Sequence, residues 1–294
     1  MNKDLKYLEQ HGYRYVFLDE VTLMEDFIEG AALFFDVFAA CGMKIVLSGT
    51  DSLGFLFTED EQLYDRCITM HMTFISYREF ERVMGIHGID EYIRYGGTMS
   101  LGDVNYNEKS TFASKKSVDE YDLTREIEVV SMANLNRKAA RTVLAQPGLR
   151  YAQADALVKS LLLDERFSDL SLKERNFVTD QILNEIKGRM MEDIVLLETK
   201  LANPRTQIFV LQFAIGEFDM VVFNEESASC QIFEIKHSDQ IVPQQYRHLM
   251  DEKKCADTEY RYGTITGKYV LYRGESQKVC KVQYWDVEDY LKSL

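Results

Sequence analysis

The sequence predicts an α/β protein, and three observations carry that expectation. Near the N-terminus two apolar runs, Tyr15-Val16-Phe17-Leu18 and "KIVLSG" (44–49), flank a stretch with helical spacing. From about 90 to 185 the chain is first polar and turn-rich, then helical in its apolar spacing. The last hundred residues return to short runs of β-branched and aromatic residues, with helical patterns between them. Short continuous apolar runs bounded by turn signals read as buried strands, and buried strands joined by helical crossovers make parallel sheets.

Taken in order, residues 14–19 are expected to be a fully buried strand, 23–41 a helix and 44–49 a second strand parallel to the first, with the right-handed connection such units adopt. "DLTREIEVVSMANLNRKAARTVLA" and "YAQADALVKSLLLD" show helical spacing on either side of Pro147-Gly148. A helix is expected over 186–201, then strands at 205–215, 218–223 and 230–236. A helix around "PQQYRHLMDEKKC" and strands at "KYVLYRG" and "KVQYWDV" complete the chain. The expected division is 1–85, a mainly helical linker or winged-helix-like region at 86–185, and 186–294.

At 294 residues the chain has room for two or three domains. Hydrophobic residues at 46% and aromatics at 12% are ample for packed cores and argue against a disordered chain. The formal charge of −14 argues against a general nucleic-acid binder, because phosphate binding needs a positive surface. Local basic patches remain compatible with it. The 5 cysteines are widely spaced with no Cys-x-x-Cys pair, as expected for reduced thiols in a cytoplasm. The N-terminus has no apolar signal core, and "GAALFFDVFAACG" is too short for a bilayer and broken by Asp36. No membrane partner is expected.

Two clusters of residues point to chemistry. The first apolar run ends in Asp19 and Glu20, at the strand edge where open α/β sheets bind ligands. There Asp19 would anchor a magnesium hydration shell and Glu20 would polarise an attacking water, although a strand running into an acidic loop would look the same. The second run ends in Ser48, Thr50 and Ser52, which place hydroxyls at the same edge, although Ser and Thr are also ordinary helix caps. The second cluster lies in "GEFDMVVFNEESASCQIFEIKHSD". If residues 224–229 make a symmetric turn, Phe223 faces Cys230 and Asp219 faces Glu234. Lys236 shares their face, so two carboxylates and a lysine converge in an apolar hairpin. Such charges must pair with each other or bind a metal. A salt-bridged hairpin would satisfy them equally.

"YVFLDEV", "KIVLSGTDS", "DRCITMHMTFISYREF" and "EYIRYGGTM", in that order, resemble the second half of prokaryotic AAA-superfamily ATPases with a C-terminal nuclease-like domain. The resemblance implies a partial P-loop-type parallel sheet. Asp19 and Glu20 become Walker B acids, Ser48 a sensor, and Arg66 an arginine offered to a phosphate in cis or in an oligomer. An exposed surface arginine would look the same. The G-x-x-x-x-G-K-[ST] loop that cradles phosphates occurs nowhere in the sequence. "GTITGKY" (263–269) has the wrong spacing and lies in the wrong region. The expectation is an ATPase core truncated at its N-terminus, with ATP binding weak or absent.

The string Asp219…Glu234-x-Lys236 is similar to the PD-(D/E)xK signature, and implies a restriction-endonuclease-like α/β domain. By that resemblance Asp219 and Glu234 would hold Mg2+ with help from the Ile235 carbonyl, and Lys236 would steady the attacking water. Glu192 matches the family's acid on the preceding helix, and Gln245 and Tyr246 its polar pair after the lysine. The whole then reads as an incomplete AAA-type ATPase joined to a magnesium-dependent nuclease-like domain acting on DNA or another nucleic acid. A regulatory or interaction module built on degenerate copies of both folds is the alternative. His237 and His248 match no common metal spacing and are expected at the surface.

Overall fold

The two N-terminal apolar runs do pair in parallel. In the computed structural model β1 (Tyr15–Leu18) and β2 (Lys44–Leu47) run in register from Tyr15 opposite Lys44 to Leu18 opposite Leu47. The structure describes residues 2–19, 21, 35–49, 68, 74–96, 124–134, 138–144 and 147–294. These fall into two units, Met1–Thr73 and Phe74–Leu294. In the first, α1 (Asn2–Gln10) supplies Leu5 to a small core with Val16, Val21, Phe38 and Met43. Of the helix expected over 23–41, a π-helical turn at Phe35–Ala39 is described and residues 22–34 are not.

Burial in β1 departs from expectation. Val16 is buried, but Tyr15 and Phe17 are 69% and 73% exposed. Successive strand side chains point to opposite faces, and α1 with the π-helical turn covers only one of them. The continuous apolar run therefore becomes a one-sided strand.

The second unit is built on a mixed sheet of eight strands in the order β4-β3-β5-β6-β7-β8-β10-β9. Its entry is a pair of short helices, α2 (Tyr77–Met84) and α3 (Ile89–Tyr95). Ser76 caps α2 by accepting from the Glu79 amide, as the Ser-Tyr-Arg-Glu-Phe string anticipates. Strands β3 (Thr124–Ser131) and β4 (Lys138–Leu144) then form an antiparallel edge hairpin. The helical reading of 122–145 is thus corrected. "TREIEVVS" is rich in β-branched residues, and Ile127 is buried between exposed Glu126 and Glu128, a period of two. The alanines of "KAARTVL" suggested helix, but pairing with β3 overrides that weak propensity.

Three helices follow: α4 (Pro147–Leu162), α5 (Glu165–Ser168) and the 31-residue α6 (Leu172–Ala202). Pro147 does not separate two helices; it sits in the first turn of α4, where a missing amide costs nothing. Ser171 and Glu174 form a capping box that fixes the start of α6. Because α6 runs unbroken across residue 185, and β3 pairs with β5 in the same sheet, the region 86–185 is no separate helical domain. Its strands extend the C-terminal sheet.

The remaining strands are β5 (Gln207–Gln212), β6 (Glu217–Asn224), β7 (Ser229–Ile235), β8 (Thr264–Tyr272), β9 (Gln277–Val279) and β10 (Val282–Asp286). The first three form an antiparallel meander, and β7 continues parallel to β8. Between β7 and β8 lie a 3-10 turn at Pro243–Tyr246 and α7 (Glu252–Tyr262), where one helix was expected. On one face, α6 and the closing helix α8 (Val287–Ser293) bury Ile194, Val195, Phe233 and Leu271. On the other, α7 covers Phe209, Phe218, Ile232 and Val270. No helix among the described residues is long and apolar enough to cross a membrane.

Candidate active site

The β6–β7 hairpin closes in the expected register, with Phe223 opposite Cys230 and Met220 opposite Phe233. One step further brings Asp219 beside Glu234. Both are buried, at 8% and 3% exposure. The Lys236 ammonium lies 2.6 Å from Asp219 Oδ2 and 2.7 Å from Glu234 Oε2. Asp219 Oδ2 also accepts from the Ile235 amide at 2.7 Å. Glu234 Oε1 is buried without a hydrogen-bond partner.

Burial and the neighbouring Asp219 charge push the Glu234 carboxyl up to about 8, although Lys236 opposes them. Burial alone would lower Lys236, but the attraction of Asp219 and Glu234 outweighs it and holds the ammonium protonated. An ammonium between two carboxylates is the arrangement that makes burying all three tolerable.

Asp219 and Lys236, but not the more deeply buried Glu234, line a cleft of about 1040 Å3 walled by α6 and the C-terminal end of β7. Asp219, Lys236, Glu192 and Gln245 all line it. Glu192 reaches it from α6 and is paired with Arg141 Nη1 at 3.1 Å and with Arg189 Nη1 at 3.6 Å. Burial, then the charge of Asp219, pushes the Glu192 carboxyl up to about 7. Arg141 also binds the buried Asp193, its Nη2 2.5 Å from Oδ1, and Arg150 binds the other oxygen of that carboxylate. Four lining acids, Glu185, Glu192, Glu217 and Asp219, outnumber the lining bases Arg189 and Lys236.

No protein-family model, curated protein or solved structure matches the chain.

Gln245 is buried on the 3-10 turn, where its Nε2 donates to the Gln240 carbonyl and its Oε1 accepts from the Val242 amide and the Tyr284 hydroxyl. Tyr246 turns away from the cleft. It packs edge-on against Tyr284 in the core under α7, so the expected polar pair is split. His237 is no surface residue. Its ring is 8% exposed, lines the cleft, and pairs with Asp90 through Nε2 at 2.9 Å. Asp90 also binds Arg273 at 2.6 Å and Lys187 at 3.6 Å. His248 is half-buried, its Nδ1 2.6 Å from Lys254 Nζ.

At the first unit's sheet edge, Asp19 and Ser48 follow β1 and β2, and the Ser48 hydroxyl donates to the Asp19 carboxylate. The Ser48 amide also binds the Leu18 carbonyl at 2.9 Å, which holds the two strand ends together. Glu20 and Arg66 lie outside the described residues.

The residues that the sequence reading missed are Arg141, Asp193, Asp90 and Arg273. For Arg141 a signal existed, since the alternating "TREIEVV" could have marked a hairpin whose second strand delivers it. Asp90 meets His237 across 147 residues, and nothing local announces that pairing.

Among the described residues, no three His, Cys, Asp or Glu side chains converge as a metal cage. Magnesium does not require one. It binds through one or two carboxylates and keeps several waters. The all-oxygen set of Asp219, Glu192 and Glu234, with the orphaned Glu234 Oε1, suits a hard cation.

Proposed function

We propose that the Phe74–Leu294 unit is a nuclease-like domain of the PD-(D/E)xK type that hydrolyses phosphodiesters in DNA or another nucleic acid. The observation that carries this reading is the Asp219–Lys236–Glu234 trio, of which Asp219 and Lys236 line a cleft that Glu192 also lines. The order of elements supports it: a helix bearing an acid, a meander with acids on its last two strands, then the segment with Gln245. Asp219 and Glu234, with the Ile235 carbonyl, would hold magnesium, and Glu192 would complete its surroundings. When bound, the metal supplies Lewis acidity and a water of lowered pKa. Lys236 would orient that water or the developing phosphate charge, and the Arg141–Asp193 pair keeps Glu192 aimed at the cleft. The acidic cleft favours loading of the metal before the polyanion.

For the first unit we propose the second half of an AAA-type ATPase core, with Asp19 and Ser48 at one edge of a nucleotide site. Without phosphate-cradling amides, ATP binding in this chain is weak or absent. The test is magnesium-dependent cleavage of single- and double-stranded DNA and RNA, comparing the wild-type chain with Asp219→Ala. Cleavage lost in the variant supports the reading. Equal cleavage by both, or none by either, counts against it.

A second reading is favoured by one specific observation. Lys236 already neutralises Asp219 and Glu234 at 2.6 and 2.7 Å. A trio closed in this way also serves a non-catalytic regulatory or interaction module.

A further inference from the structure

On the sheet face covered by α7, a thiol and an amine meet inside the core. Lys268 on β8 reaches across to α7 and places Nζ 3.0 Å from Cys255 Sγ. The same Nζ donates to the Leu249 carbonyl at 2.8 Å. Cys255 is buried, and its Sγ also contacts that carbonyl at 3.4 Å. The carbonyl thus aims both side chains at one point. Both sit on regular elements, α7 and β8, so their approach is set by packing rather than by a loop.

We propose that Cys255 and Lys268 form a covalent modification site, closing an S–O–N link when the protein meets dioxygen or hydrogen peroxide. With peroxide the thiolate attacks one O–O bond, giving the Cys255 sulfenic acid and water. A second peroxide, the sulfenic acid and the neutral Lys268 amine then yield S–O–NH and two waters. Sulfur and nitrogen each give up two electrons, and the two peroxides accept all four. With dioxygen the same four electrons reduce one O2, one oxygen entering the bridge and the other leaving as water. A single bridging oxygen spans little less than the present separation, so closure demands no movement of α7 or β8.

A neighbouring thiol offers a competing product. Cys230 on β7 is buried in the same core cluster as Cys255. Burial, together with the charge of Glu259, pushes its thiol up to about 11, which keeps it protonated and unreactive. A Cys230–Cys255 disulfide would lose two hydrogens and gain no oxygen.

The link would staple α7 to the strand that runs beside β7, just after the turn that carries Gln245. It stands apart from the proposed phosphodiester chemistry, and its test does not use that activity. The full-length chain, exposed to dilute hydrogen peroxide and then alkylated without reductant, would be digested and mapped by mass spectrometry. The expected product joins the Cys255 and Lys268 peptides with one oxygen gained and two hydrogens lost, about 14 Da above their sum. Dithiothreitol should release it. Cys230→Ser should retain it, and Lys268→Arg, whose fold is checked by circular dichroism, should lose it while Cys255 still reacts. A Cys230–Cys255 disulfide, a Cys255 sulfinic acid with Lys268 unmodified, unreacted peptides, or persistence of the product in Lys268→Arg would each overturn the proposal.

Discussion

Asp219 and Lys236 meet at 2.6 Å inside the second unit, although 17 residues separate them in sequence. The contact exists because β6 and β7 form a hairpin whose register sets Asp219 beside Glu234, and because Lys236 follows Glu234 on the same face. A buried ion pair contributes little net stability, yet removing one partner leaves an uncompensated charge.

Lys236→Met should therefore destabilise the second unit by about 3 kcal/mol at neutral pH. Urea unfolding followed by tryptophan fluorescence, with Trp285 as the reporter, measures it. The loss should grow as pH rises past 8, where Glu234 ionises beside Lys236 in the wild type and has no partner in the variant. A loss independent of pH would mean that the trio is not electrostatically coupled.

Stability should fall as pH rises through the neutral range. Glu198 is buried on α6, accepts from the Tyr77 amide at 2.7 Å, and is pushed up to about 8 by burial. Glu234 stands at about 8 and Glu192 at about 7. Each holds its proton in the folded state at pH values where the unfolded chain has released it. Their contribution is complete below the ordinary carboxylate range and is lost as pH passes 7 to 8. The urea midpoint should thus be higher at pH 5.5 than at 8.5. Glu198→Gln, which keeps an acceptor for Tyr77, should flatten that slope. Asp90, held down to about 2 chiefly by its bond to His237, adds the opposite dependence only at strongly acidic pH.

Arg141→Ala should cost about 2–4 kcal/mol, because Glu192 and Asp193 both lose a buried partner. Arg141→Lys should recover only part of that, since a lysine keeps the charge but lacks the planar fork that reaches Glu192 and Asp193 through separate nitrogens. If nuclease activity is found, Arg141→Lys should lower kcat with little change in substrate affinity.

Gly263→Ala should lower the thermal midpoint measurably, by about 1–3 kcal/mol of stability. Gly263 ends α7 with φ +74°, and a Cβ there would stand 1.7 Å from the Ala228 carbonyl oxygen. That carbonyl accepts from the Thr264 amide at the start of β8, so it is not free to move aside.

Addition of ATP and magnesium should leave the thermal midpoint unchanged at nucleotide concentrations in the micromolar range. Asp19 and Ser48 share a strand edge, but the sequence holds no phosphate-cradling loop. A clear stabilisation at micromolar ATP would overturn the expectation of weak binding.

The chemistry of the hairpin was legible in the sequence because it is local. A turn of fixed length and a two-residue period placed Asp219, Glu234 and Lys236 together before any tertiary contact was known. The parallel pairing of β1 and β2 was legible for the same reason.

What the sequence did not reveal depends on neighbours distant along the chain. Residues 124–144 carry an ambiguous pattern, and only pairing with β5 makes them strands of the C-terminal sheet. Tyr15 and Phe17 look as apolar as Val16, yet only the one-sided packing of α1 leaves them exposed. His237 resembled a surface histidine until Asp90, itself held by Arg273, paired with it. The sequence by itself determined the α/β character, the hairpin register and the acids and lysine of the cleft, since short-range geometry dictates these. Tertiary structure alone decided which elements share a sheet, which arginines hold Glu192 and Asp193, and where a buried thiol meets an amine. Those contacts join residues whose local patterns carry no information about each other.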